Sequence, residues 1–235
     1  MAELPQVDLS RCSCSVTLGF CANGSPYSLD LAKSHGIIVA GGNEQARAES
    51  VELLLRSAKH EFGVSFAWCG EKAPEGVQAV SVEQAADSLK AFCDEQIERY
   101  DLMKKAGSNN LPHFNGFAKS RELEPLPFKF FVIEELQACL EKFGRKFIDQ
   151  LCFAARYGRA CGMLPIVCAG DASPEKLPAL LKAEIADRIC LGVESRRDSL
   201  SLLGVLGGEA VREHELLFRH VAEKTDAVRL SAARD

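Results

Sequence analysis

Residues 36–48 read Gly36-Ile37-Ile38-Val39-Ala40-Gly41-Gly42-Asn43-Glu44-Gln45-Ala46-Arg47-Ala48. An unbroken apolar run of this length suits a strand buried on both faces, as parallel sheets require. Two glycines then turn the chain, and Ala48, Val51, Leu54, Leu55 and Ala58 recur at helical spacing, with the helix closing near Phe62-Gly63. A buried strand, a glycine turn and a helix form the unit from which α/β sheets are assembled. At such a junction the first helical N–H groups and the helix dipole can meet a phosphate.

The same unit repeats outward from there. Val64–Trp68, Phe128–Ile133, Leu164–Ala169 and Ile189–Val193 read as further buried strands. Helical spacing covers residues 82–106, 136–159 (broken at Gly144), 178–186 and 200–206. Residues 215–220 and 227–232 read as terminal strands, and 107–127, rich in glycine, asparagine and proline, as an irregular excursion. Ahead of the core, Cys12, Cys14, Val16, Leu18 and Phe20 alternate with small polar residues. The turn Ala22-Asn23-Gly24-Ser25-Pro26 then leads into Tyr27–Leu31, which makes an N-terminal β-hairpin. The pattern predicts one α/β domain over residues 1–235, with a mostly parallel sheet flanked by helices and right-handed crossovers.

Composition narrows the function classes. The chain has 235 residues with 28 basic against 33 acidic side chains, a net charge of −5, so a whole-surface basic footprint for nucleic acid is absent. Ten cysteines in this length fall short of a disulfide scaffold. Cys12-x-Cys14 and five scattered histidines lack zinc-ligand spacing, so cysteine reads as a small core residue and neither zinc nor a redox cofactor is expected. No apolar run reaches the ~18 residues of a membrane helix. The start, MAELPQVDLSR, lacks the form of a signal peptide, which predicts a cytoplasmic protein.

Ligands of such sheets bind outside the carboxyl ends of the strands. Two of those ends carry chemistry: the Gly41-Gly42 turn, and Phe131-Val132-Ile133-Glu134-Glu135, where a buried strand delivers two acids. In a nucleotide-hydrolysing site the first acid holds magnesium and the second orients the attacking water.

In order and context these segments resemble the motor domain of the FtsK/SpoIIIE family of DNA translocases, in the HerA–FtsK group of P-loop ATPases with a RecA-like fold. The resemblance runs through Asn23-Gly24-Ser25-Pro26, Asp30-Leu31-Ala32-Lys33 and the strand 36–41. It continues in Glu98-Arg99-Tyr100-Asp101-Leu102-Met103, Asn109-Asn110-Leu111, residues 131–136 and Gly158-Arg159-Ala160-Cys161-Gly162. Residues 181–189, Ser195-Arg196-Arg197-Asp198-Ser199 and Gly207-Gly208-Glu209-Ala210 complete it, so about residues 19–232 are covered. It implies a nucleotide site of Gly41, Gly42, Asn43, Glu44, Gln45, Ala46, Arg47 and Ala48, with Glu134 at the magnesium and Glu135 as the catalytic acid. Arg159 matches an arginine that could act across a subunit boundary. The implied ligands are ATP and magnesium, and the implied partners duplex DNA and other subunits, either a hexameric ring of copies or an assembly with active homologues.

The departures from the family pattern bear on activity. Where the family reads roughly G-T-T-G-S-G-K-S, the lysine becomes Arg47 and the magnesium-ligating serine becomes Ala48, while Glu44 and Ala46 replace loop glycines. Those glycines let backbone N–H groups converge on a phosphate, and Glu44 adds a negative charge beside a polyanion. Glu134 stands where the family has aspartate, and the family's T-Q-R-P gives way to Gly170-Asp171-Ala172-Ser173-Pro174. The sequence therefore predicts a catalytically degenerate FtsK-like domain. The alternatives are an active DNA translocase with an atypical phosphate loop, and an α/β scaffold whose pocket takes another ligand or none.

Overall fold

The computed structural model describes residues 14–74, 77, 79–222 and 226–232. Ten strands form a single sheet: β1 (Ser15–Phe20), β2 (Pro26–Asp30), β3 (Ile37–Ala40), β4 (Val64–Cys69), β5 (Ala79–Val80), β6 (Phe128–Ile133), β7 (Met163–Ala169), β8 (Asp187–Cys190), β9 (Glu215–His220) and β10 (Val228–Ser231). Their order across the sheet is β2-β1-β10-β9-β8-β3-β7-β6-β4-β5. The strands from β8 to β5 run parallel, and β9, β10, β1 and β2 extend the sheet antiparallel. Every residue of β3, β7 and β8 is buried: β3 and β7 as their apolar runs require, and β8 with Asp187 and Arg188 satisfied by hydrogen bonds to Ser34, His220 and the Leu202 carbonyl. The predicted parallel sheet and N-terminal hairpin are both present.

The helices are α1 (Glu44–Ser57), α2 (Ala85–Lys105), α3 (Leu111–Ala118), α4 (Leu136–Phe143), α5 (Arg145–Cys161), α6 (Ala179–Glu184) and α7 (Arg196–Leu203). Gly144, at φ 60°, separates α4 from α5. Several boundaries differ from the sequence reading. Helix α1 stops at Ser57 rather than near Phe62, because Lys59 bridges back to Ser15 on β1. The 107–127 excursion contains α3, which Asn110 caps by accepting from the His113 N–H, with Pro112 in its first turn, where proline is tolerated. Strand β8 begins at Asp187 rather than Ile189, and α7 begins at Arg196 rather than Leu200. Cys12 lies outside the described residues, and Cys14 is fully buried in the core.

Helices α2 and α5 are locked by buried polar groups as well as apolar contact. Gln96 Nε2 donates to the carbonyls of Ala154 and Met163, at 2.9 and 3.0 Å. Arg99 donates to the Pro127 and Cys161 carbonyls and pairs with Glu95. The Glu98-Arg99-Tyr100 stretch thus contributes an arginine that satisfies carbonyls at the start of β6 and the end of α5. Gly158 lets α5 approach β7, since a Cβ there would stand 1.9 Å from the Met163 carbonyl oxygen. Gly158→Ala is therefore expected to cost about 2 kcal/mol or more, read as a lowered Tm in a thermal melt; an unchanged Tm would contradict this packing.

Acid should also weaken the fold. His60 lies against the Phe128 ring at 4.8 Å and accepts the Phe62 N–H at Nδ1, and burial holds its pKa below the ordinary value. His35 is lowered too, by burial first and by Arg159 second. A base with a depressed folded pKa binds its proton more readily in the unfolded chain. Stability is then complete above about pH 6.5 and falls as the pH drops through the folded values. Melting curves between pH 7.5 and 5 should show this fall, and His60→Gln should flatten part of it.

Candidate functional site

The glycine turn sits at the carboxyl end of β3, in the middle of the sheet. Gly41, at φ 79°, approaches the loop after β8 so closely that a Cβ would stand 1.9 Å from the Gly192 oxygen. Its N–H donates to Ala169 O, and the Gly42 N–H donates to Gly192 O. Asn43 then caps α1: its Oδ1 accepts the Ala46 N–H at 2.8 Å, and its carbonyl accepts the Arg47 N–H. The helix begins at Glu44, so residues 44–48 are already helical. In a phosphate loop these residues form a glycine-rich turn whose N–H groups converge on a ligand. Here the amides of Ala46 and Arg47 are spent on Asn43.

Arg47 turns back over this junction. Its Nη1 donates to Gly42 O at 3.0 Å and lies 3.4 Å from Gly41 O, and its Nη2 pairs with Glu135 Oε2 at 3.2 Å. The residue is 7% exposed. Gly170 makes room for it, because a Cβ at that position would stand 3.3 Å from Nη2. The guanidinium therefore lies between the glycine turn, the loop after β7 and the acid after β6.

Glu134 is held on the other side. Its Oε2 accepts from the Lys72 N–H at 3.0 Å and from Trp68 Nε1 at 3.4 Å, while Oε1 is buried with no partner among the described residues. Glu44 is exposed and pairs with Lys72 Nζ at 2.5 Å; that hydrogen bond lowers the carboxyl's pKa. Between these groups lies a cavity of roughly 10 Å³ lined by Glu44, Arg47, Ala48, Val51, Trp68, Glu134 and Cys168. Burial pushes the Cys168 thiol up to about 12. Beside the glycine turn a wider cleft of about 420 Å³ opens between the loops after β7 and β8. Asp171, Glu194 and Asp198 are among its lining residues, and no basic side chain is.

The structure thus brings Gly41, Gly42, Arg47, Glu134 and Glu135 together at one end of the sheet. Arg159 is elsewhere: it ends α5 and interacts with His35, which precedes β3, at the opposite ends of the parallel strands. Within one chain it does not reach Glu135. Four other arginines on α5 and α7 are engaged in ion pairs: Arg145 with Asp149, Arg156 with Glu184, Arg196 with Glu209 and Arg197 with Glu175. Lys72 was not evident in the sequence, because only tertiary folding carries it to Glu44 and Glu134. Asn43 as a cap was legible, since asparagine before a helical run is a start signal.

The residues fit magnesium-bound nucleotide poorly as they stand. Ala48 offers no oxygen to a metal, Arg47 occupies the approach to Glu135, and the small cavity admits about one water molecule. Among the described residues no group of three or more His, Cys, Asp or Glu side chains is placed to hold a metal ion, and no helix is long and apolar enough to cross a membrane.

The fold is that of P-loop ATPase domains. It superposes on the cytoplasmic domain of the type VII secretion ATPase EccC of Thermomonospora curvata with a TM-score of 0.76 at 21% identity, covering 94% of this chain and 28% of that one. The conjugation coupling protein TcpA of pCW3, solved in a monomer form with ATPγS, gives a TM-score of 0.78 at 21% identity, covering 93% and 65%. In sequence the chain is 24% identical to the DNA translocase SftA of Bacillus subtilis over 215 residues, covering 85% of this chain and 23% of that protein. It is 25% identical to the DNA translocase FtsK of Streptococcus pneumoniae over 229 residues, covering 88% and 30%. No protein-family profile matches. The chain is thus similar over most of its length to the FtsK-type DNA translocases and shares the P-loop ATPase fold, and it spans less than a third of the length of these translocases.

If Arg47 closes the site as described, removing it should be felt in stability. Arg47→Ala leaves two turn carbonyls and Glu135 without their charged donor. It is expected to cost about 2 kcal/mol, discounted because Glu135 is partly exposed. Glu135→Ala, which spares the carbonyl contacts, should cost less, and chemical denaturation of both variants checks the order.

Proposed function

We propose that this chain is a non-hydrolysing FtsK-like domain, a single unit over residues 1–235, that serves as a binding or assembly component of a DNA-processing or translocation system. The observation that carries this reading is the Arg47 guanidinium, bonded to the turn carbonyls and to Glu135, where a hydrolysing site needs a free acid and a phosphate. Three further features support it. The helix begins before the loop can form a nest of N–H groups, Ala48 has no hydroxyl, and the adjoining cleft is acidic. Removing a single charge-stabilising donor costs a hydrolytic site a hundred- to thousandfold in rate, on the order of 3–4 kcal/mol. Several such losses leave no useful turnover.

Arg159 gives an assembly component something to contribute. It is exposed and lies far from its own Glu135, a position from which it would act on a neighbouring subunit. The name of the relatives, DNA translocase, points to the system. The ion pairs made by Arg145, Arg156, Arg196 and Arg197 argue that DNA contact comes through assembly rather than through a basic face of this chain.

The test is turnover. With magnesium and duplex DNA present, ATP hydrolysis should stay at the no-enzyme level, ATP should not raise Tm, and Glu135→Gln should change neither. DNA-stimulated hydrolysis abolished by Glu135→Gln would establish the active-translocase reading instead. Fluorescence anisotropy with duplex DNA should show no binding by the isolated chain at physiological salt.

A further inference from the structure

Two buried polar atoms near this junction lack a protein partner among the described residues, Arg47 Nε and Glu134 Oε1. Both residues line the same cavity of roughly 10 Å³, with Ala48, Val51, Trp68 and Cys168 as the surrounding wall. We infer that this cavity binds one neutral hydrogen-bonding molecule, a water, which bridges Arg47 to Glu134, and that it rejects a divalent cation at the acid that corresponds to the family's magnesium holder.

The chemistry of the two atoms selects the ligand. Arg47 Nε–H is a donor and Glu134 Oε1 an acceptor, so the bound molecule must accept from one and donate to the other. Water does both. A metal ion can use only the carboxylate, and it would sit beside a permanent guanidinium charge. The remaining carboxylate oxygen is already committed to Lys72 N–H and Trp68 Nε1, which leaves a single oxygen for a metal that prefers octahedral coordination. The volume also decides, since a cavity of this size takes one water and has no room for a hydrated ion.

The bridge completes a chain of contacts from Glu135 through the Arg47 guanidinium and the water to Glu134. It joins α1 to the end of β6 without metal or phosphate. The charges are nearly balanced: Glu44, Glu134 and Glu135 face Arg47 and Lys72. The inference rests on the reading of a site without magnesium nucleotide, but it can fail separately from it.

A crystal structure of the native 235-residue chain, grown with manganese and no nucleotide, tests the inference directly. One water within hydrogen-bond distance of both atoms, with no anomalous manganese peak at Glu134, is the expected result. Manganese at Glu134, an empty cavity, or direct contact of Arg47 Nε with Glu134 would each overturn it. Hydrolysis of ATP in solution would instead overturn the proposed function and leave the bridge in the nucleotide-free state standing. Two variants give a solution readout. Ala48→Ser places a hydroxyl in the cavity as a replacement partner and should leave Tm within about 2 °C. Ala48→Val fills the cavity with methyl groups, strands both polar atoms, and should lower Tm by roughly 3–10 °C. Equal Tm values for the two variants would contradict the bridge.

Discussion

The guanidinium of Arg47 is the group around which this end of the molecule is arranged. It is nearly buried, yet it carries a full charge, so its environment has to supply acceptors. Glu135 supplies one and the carbonyls of Gly41 and Gly42 supply others. That requirement fixes the direction of the glycine turn, because its carbonyls rather than its N–H groups face the charge. A turn that presents carbonyls to a cation is the electrostatic reverse of one that presents N–H groups to a phosphate. Asn43 completes the inversion by capping the helix from within, where an anionic ligand would otherwise cap it.

The acids follow from the same constraint. A cluster of Glu44, Glu134 and Glu135 at one strand end would repel itself without counter-charge. In a nucleotide site magnesium and a lysine supply that charge; here Arg47 and Lys72 do. Lys72 acts twice, since its ammonium pairs with Glu44 while its backbone N–H holds Glu134. The loop after β4 is thereby drawn against the end of β6. Glu44, in the sequence a negative charge set against a phosphate, is turned outward to this lysine. It is part of the site's own charge balance.

Much of this was legible in the residues. The apolar runs 37–40, 130–133 and 164–169 have one good solution, a doubly covered parallel sheet, and the glycine turn and paired acids mark which end of it carries polar chemistry. Arg47 and Ala48 also announced that the loop departs from the usual phosphate-loop pattern. What the sequence could not supply were contacts between distant segments. Lys72 on Glu44, Gly170 beneath the guanidinium, and Gly192 against Gly41 depend on loops from separate strands meeting. Boundaries were missed where a local signal was overridden: the periodicity of α1 extends past Ser57, but pairing of Lys59 with β1 ends the helix. Helix α3 was hidden because proline and asparagine, read as loop formers, are there a first-turn residue and a cap.

Residues 41–48 thus form a self-satisfied helix start, with its charge neutralised from within. Calorimetric titration of the native chain with ATP, with and without magnesium, probes that claim most directly. The expected result is no heat of binding at millimolar nucleotide in either condition. Saturable binding at micromolar ATP that strengthens with magnesium would show that Arg47 yields its place to a phosphate, and would contradict the account.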